Sequence, residues 1–199
     1  MKSKRKKRAK AGRRRAKLVI KLSAWSNYID YAHQLEGLLG KKPKELEIEL
    51  VGLGEIPADT ALLMRSIIRK RKEGTRVVTN GRSSLRAGAA LVWLHGDKRL
   101  MRDDARITLR AVGPFEADNA PGVWDDRCRC EYCEMAEQDY IRVLRAINEF
   151  LPVKELAGRP IEFATLKQFG LVESEKQDRA LAAAFERSPE TAGNPRRDD

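Results

Sequence analysis

No apolar run in this 199-residue chain approaches the ~20 residues a helix needs to cross a bilayer, so no membrane span is expected. Leu18 to Leu22 follows the basic N-terminus but is too brief for a signal segment and is broken by Lys21. Histidine is nearly absent: His33 and His95 are the only two, which leaves few candidates for an imidazole base. Cysteine is confined to Cys128, Cys130 and Cys133, all inside DDRCRCEYCEM. That placement excludes a disulfide framework spread through the fold and suits a reduced, cytoplasmic protein. Residues 1–17 contain no acidic and no aromatic residue, so this segment is no base-stacking reader of single strands. There is no internal repeat.

What is present is strong positive charge in one place. The chain carries 40 Lys and Arg against 29 Asp and Glu. Residues 1–17 hold eleven of the basic ones, so the remaining sequence is formally neutral. The segment has no large apolar residue beyond Met1 and is expected to be a disordered arm. Lys4, Arg5, Lys6, Lys7, Arg8, Arg13, Arg14 and Arg15 are its candidates for contact with nucleic acid or another polyanion. A solubilising tail is the plainer reading. Residues 18–188 are expected to form one domain and residues 189–199 a flexible tail. A chain of this length can bury a real core.

Strand-like and helix-like segments alternate. Residues 16–22 read as a strand. Ser23 is expected to cap a helix reaching about Leu39, with Trp25, Tyr28, Ile29, Ala32 and Leu35 on its apolar stripe. ELEIELV alternates strictly, with Leu46, Ile48 and Leu50 on one face and Glu45, Glu47 and Glu49 on the other. A helix follows Pro57 and Asp59, and a short strand spans residues 76–79. Ser83 or Ser84 is expected to cap the next helix, which ends near Gly96. Strands over 99–102 and 106–112 follow, then an amphipathic helix over 134–151 and shorter helices over 160–169 and 177–186. This alternation predicts parallel βαβ units.

The stretch TRVVTNGRSSLRAGAALVWLHGDKRLMRDDARITLRAV, residues 75–112, resembles the active-site half of the Clp protease proteolytic subunit, in the ClpP/crotonase superfamily. IEFATLKQFGLV, residues 161–172, resembles that family's element after its long C-terminal helix. The resemblance implies an α/β ClpP/crotonase-like ββα superhelix with a long C-terminal helix. It also implies a ring-forming homo-oligomer, or a hetero-oligomer with active Clp-like subunits. The family's turn before its last strands fits Gly96, Asp97, Lys98 and Arg99. Counting from that turn, the nucleophilic serine falls at Ala87 and the histidine at Arg110. Alanine has no attacking atom, and arginine stays protonated and accepts no proton. Where the family has an oxyanion-binding glycine pair, this chain has Gly52-Leu53-Gly54-Glu55.

The resemblance therefore points to a non-catalytic scaffold or subunit. A nucleic-acid-associated protein acting through the arm is an alternative. A hydrolase with a displaced nucleophile at Ser84 is another, although His95 sits at the far end of the same helix. A crotonase-type acyl-CoA enzyme using Glu55 is the remaining option. Arg106, Thr108 and Arg110 share one period-two face, and they are expected to meet Glu47 and Glu49 as ion pairs in the former groove. Cys128, Cys130 and Cys133 supply three ligands of a candidate zinc site, with Asp125, Asp126, His95 or a neighbouring subunit as the fourth.

Overall fold

The computed structural model describes residues 15–115 and 130–174. In chain order the elements are β1 (Arg15–Leu22), α1 (Tyr28–Gly40), β2 (Glu45–Gly52), α2 (Ala58–Arg69), β3 (Arg76–Gly81), β4 (Leu85–Arg86) and α3 (Ala87–Leu94). Then come β5 (Lys98–Met101), β6 (Arg106–Thr108), a 3-10 turn at Gly113–Phe115, α4 (Glu131–Ile147), α5 (Val153–Leu156), β7 (Pro160–Glu162), α6 (Phe163–Gln168) and β8 (Glu173–Ser174).

Alternation in β2 buries Leu46, Ile48 and Leu50 completely on one face. Leu18, Ile20 and Leu22 of β1 are buried in the same way. The main sheet runs β1-β2-β3-β5-β8, with every pairing parallel. Parallel neighbours need crossovers; α1, α2 and α3 supply the first three, and the segment from β6 through α6 connects β5 to β8. A smaller sheet runs β4-β6-β7; β4 and β6 are parallel, β6 and β7 antiparallel.

All eight residues of α3 are buried, and it packs between α2 and α4. Its small residues permit this. A Cβ added at Gly88 would collide with the backbone carbonyl of Ile56, in the loop between β2 and α2. At the other end, Thr79 donates to the Trp93 carbonyl at 2.7 Å, and the Trp93 indole N–H donates to Leu100 O at 2.9 Å.

Several local expectations are corrected. The first helix begins at Tyr28, and Trp25 is 97% exposed rather than on an apolar stripe. The Tyr28 hydroxyl accepts from Ser23 N–H and donates to Ser23 O, both at 2.9 Å, so the Ser23 backbone is used in a turn. Neither Ser83 nor Ser84 caps α3, because β4 intervenes and Arg86 is the cap residue. The strand from Arg106 ends at Thr108: the Arg110 N–H goes to the Tyr140 hydroxyl, and Leu109 O accepts from Gly158. Residues 160–162 form a strand before their helix, since Ile161 pairs with Ile107. The long helix runs from Glu131 and stops at Ile147, where Asn148 Oδ1 accepts from Val153 N–H at 3.0 Å. The strand β1 takes in Arg15, Ala16 and Lys17 from the end of the basic segment. Residues 1–14, the helix expected over 177–186 and the tail from 189 lie outside the described residues.

Candidate active-site cleft

The β2–α2 loop, the start of α3, the end of β6 and the N-terminal half of α4 enclose an open cleft of about 1760 Å³. Glu55, Ile56 and Asp59 line one side, and Arg86, Thr108, Arg110 and Arg159 another. Tyr132, Glu134, Met135 and Tyr140 come from α4. Gly88 fixes how closely α3 approaches the β2–α2 loop.

Ala87 is the first residue of α3 and is fully buried. The residue that faces the cleft at this helix start is Arg86, which the counting from Gly96 passed over. Only the short strand β4 makes this legible, because Arg86 pairs with Thr108 of β6. Arg110 lies over the Tyr140 ring, its guanidinium carbon 4.9 Å from the centroid. Its backbone N–H donates to the Tyr140 hydroxyl at 2.8 Å. Burial, with Glu55 adding negative charge nearby, holds the Tyr140 phenol above its ordinary pKa, against the opposing pull of Arg110. The phenol therefore stays protonated near neutrality.

The glycine pair offers no free amide. Gly52 N–H donates to Ser83 Oγ at 3.0 Å, and Gly54 N–H donates to Leu22 O at 2.9 Å. Ser83 Oγ in turn donates to Gly52 O at 2.5 Å. These contacts tie the turn after β3 to the end of β2, a tertiary role that the local sequence did not reveal. Ser84 lines a separate pocket of about 290 Å³ with Leu53, Arg86, Arg106, Thr108 and Pro160. Among the described residues no imidazole lines it.

His95 is the C-cap of α3, at the end opposite Arg86. Its Nε2 accepts from Arg65 Nε at 3.0 Å, and its Nδ1 lies 2.9 Å from Leu91 O. Burial and the Arg65 charge lower its pKa, against the Leu91 carbonyl. The neutral ring is thus committed to holding helices together. His33 is exposed on α1. Among the described residues no serine and histidine meet.

The expected pairing of Glu47 and Glu49 with Arg106 and Arg110 is not formed. Lys17 Nζ lies 3.8 Å from Glu47 and 2.6 Å from Glu49, and Arg82 also pairs with Glu49. Burial disfavours the Glu49 carboxylate, but the hydrogen bonds from Lys17 and Arg82 outweigh it and lower its pKa. Arg106 faces Glu162 at 3.9 Å. The reason is topological: the glutamates belong to the main sheet, Arg106 belongs to the smaller one, and Arg110 lies beyond the end of β6.

Cys130 is exposed at the N-cap of α4, and Cys133 is half-buried in its first turn. Cys128, with Asp125 and Asp126, lies outside the described residues. Among the described residues no group of three His, Cys, Asp or Glu side chains is placed to hold a metal ion. No described helix is long and apolar enough to cross a membrane. Arg15 is engaged with Glu45 at 3.2 Å, and the other arm candidates precede the described residues.

No family model and no curated protein matches this sequence. Solved structures do. The ClpP protease catalytic domain from Plasmodium falciparum superposes with a TM-score of 0.53 at 12% identity, covering 80% of this chain and 84% of that one. ClpP1 from Listeria monocytogenes gives 0.52 at 14% identity, covering 83% and 94%. A mutant of that Listeria protein gives 0.54 at 13%, with the same coverage. Arrangement and similarity agree that this chain has a ClpP-like α/β fold.

Proposed function

We propose that the chain is a non-catalytic ClpP-like subunit that acts by assembling, with itself or with active ClpP-like subunits, and not by hydrolysing peptides. The observation that carries this reading is the pair Arg86 and Arg110 in the cleft, together with the wide separation of Ser84 from His95. Acyl transfer needs a nucleophile whose proton passes to a base, and amide donors aimed at the oxyanion. Here α3 starts at Ala87, the cap residue before it that lines the cleft is the guanidinium of Arg86, and the amides of Gly52 and Gly54 are occupied. Assembly is supported by the exposed apolar side chains of α4, with Tyr132 78% and Met135 58% exposed.

Two measurements test the proposal together. A fluorophosphonate probe applied to the intact protein should label no serine, with an active serine peptidase as the positive control. Native mass spectrometry should report a species larger than one chain. Stoichiometric labelling of Ser84 would restore the displaced-nucleophile hydrolase. A strictly monomeric chain that joins no ClpP-like partner would remove the scaffold role.

A second reading rests on the segregated charge. Nine basic residues without one acid at residues 1–14, ahead of Arg15 and Lys17 that pair within the sheet, favour an association with nucleic acid. It uses a different part of the chain and is compatible with the first. The three cysteines remain a candidate zinc set, which metal analysis of protein purified without chelator would decide.

A further inference from the structure

We propose that the wall of the cleft built from the smaller sheet binds an oxyanion, the carboxylate or phosphate group of a small ligand, through Arg86, Arg110 and Arg159. The argument begins with which arginines already have a counter-charge. Arg15, Arg65, Arg71, Arg82, Arg102, Arg106 and Arg142 each pair with a carboxylate. Arg99 is held by the Leu171 and Gly96 carbonyls. Arg69, Arg76, Arg86, Arg110, Arg145 and Arg159 form no ion pair among the described residues; of these, Arg86, Arg110 and Arg159 line one cleft, and the other three do not. Like charges gathered in one concavity repel each other, and a bound anion relieves that repulsion.

The arginines are also positioned for this. Strand pairing sets Arg86 beside Thr108, and Thr108 beside Pro160, next to Arg159. Arg110 is braced by the Tyr140 ring under its guanidinium and by its own N–H to the Tyr140 hydroxyl. A braced planar fork loses little freedom when it takes a carboxylate or phosphate bidentately.

The acids of the cleft do not cancel this wall. Asp59 accepts from Thr60 N–H at the start of α2, and Asp139 pairs with Arg142. Glu134 and Glu137 stand on α4. Glu55 acts on the Tyr140 hydroxyl alongside Arg110 without pairing with it. The cleft is therefore divided by charge, with guanidiniums on the small-sheet side and carboxylates on α4 and on the β2–α2 side. Such a division orients a ligand with its anionic end toward Arg86 and Arg110. At about 1760 Å³ the cleft exceeds the roughly 300–1,000 Å³ of usual small-molecule pockets, so the anion occupies one end only.

The test titrates the full-length protein with inorganic phosphate, and separately with acetate, following arginine side-chain Nε–Hε signals by NMR. Saturable shifts are expected for Arg86 and Arg110. Arg110→Gln should weaken the affinity by about tenfold or more, the range expected for one charge-assisted contact. Arg86→Gln should do the same and stands in if the first variant fails to fold. Arg69→Gln, outside the cleft, should change nothing. Saturation by phosphate alone names a phosphate ester as the ligand class, and saturation by acetate alone names a carboxylate. Shifts that never saturate, or an equal loss in Arg69→Gln, would overturn the proposal. Because the titration reads arginines and the fluorophosphonate reads a nucleophile, each idea fails independently of the other.

Discussion

Gly88 and Gly37 are both helical glycines, yet opposite outcomes are expected from the same substitution. A Cβ at Gly37, on the exposed face of α1, meets nothing within 4 Å. Gly37→Ala should therefore gain about 0.8–1 kcal/mol of helix propensity and raise Tm by roughly 2–4 °C. A Cβ at Gly88 meets the Ile56 carbonyl, which is backbone and cannot swing aside. Overpacking of this kind costs about 1–3 kcal/mol, and more where a main-chain atom is struck. Gly88→Ala should lower Tm despite the better propensity, and it should move Arg86 away from Glu55 across the cleft. Thermal melts of both variants check this; a Gly88→Ala protein as stable as the parent would mean that α3 does not press on the β2–α2 loop. Residues of this kind show what a sequence conceals. The small residues Ala87, Gly88, Ala89 and Ala90 suit close packing, but the atom that Gly88 packs against lies 32 positions back and was not legible. Ser83 looked like a helix cap because its local neighbours suit one. Its real partner is the backbone of Gly52.

His95 joins three elements, and its protonation state matters to all of them. It terminates α3, accepts from Arg65 of α2, and meets the Phe150 ring just beyond α4 with centroids 5.2 Å apart. Arg65 continues to Glu149 at 2.7 Å. The charged groups around the ring are Arg65, Arg69 and Glu149. Burial first, and then the two arginines, depress the His95 pKa in the folded chain. The unfolded chain then binds the extra proton at pH values where the folded chain does not, so stability increases with pH in that window. The contribution is complete above the unfolded value of about 6.5 and is lost as pH falls through the folded value. His95→Gln keeps an acceptor for Arg65 but cannot charge. Denaturant unfolding between pH 5 and 7.5 should therefore show a shallower pH dependence in the variant, and identical slopes would count against the arrangement. At this scale the sequence was informative wherever a pattern repeated within one element: the alternation of β2 and the amphipathic character of the long helix both appear as read. It misled where two elements had to be matched. Glu47 and Glu49 share a period with Arg106 and Arg110, but register pairs Glu47 with Lys17, places β6 in another sheet and leaves Arg110 beyond the strand.

The molecule as a whole divides its charge between a neutral body and a basic end. Lys17 aligns with Glu47 in the register of β1 and β2, and Arg15 with Glu45, so the end of the basic segment is neutralised within the sheet. Residues 1–14 keep Lys2, Lys4, Arg5, Lys6, Lys7, Arg8, Lys10, Arg13 and Arg14 without an acidic neighbour in sequence. If these side chains meet phosphates, binding should follow counterion release, with log affinity falling linearly in log salt by about 0.7–0.9 per phosphate neutralised. The full chain should bind a mixed-sequence RNA or duplex DNA oligonucleotide with a slope of several units. Deletion of residues 2–14 should remove most of that slope while leaving the melting temperature nearly unchanged, because β1 begins at Arg15. The same deletion should leave the phosphate titration of Arg86 and Arg110 intact, since that site is built from the smaller sheet. Binding that is equally salt-dependent after the deletion would transfer the polyanion contact to the body. Binding absent from both chains would reduce the arm to a solubilising tail, and the function would then rest on the cleft and on assembly alone.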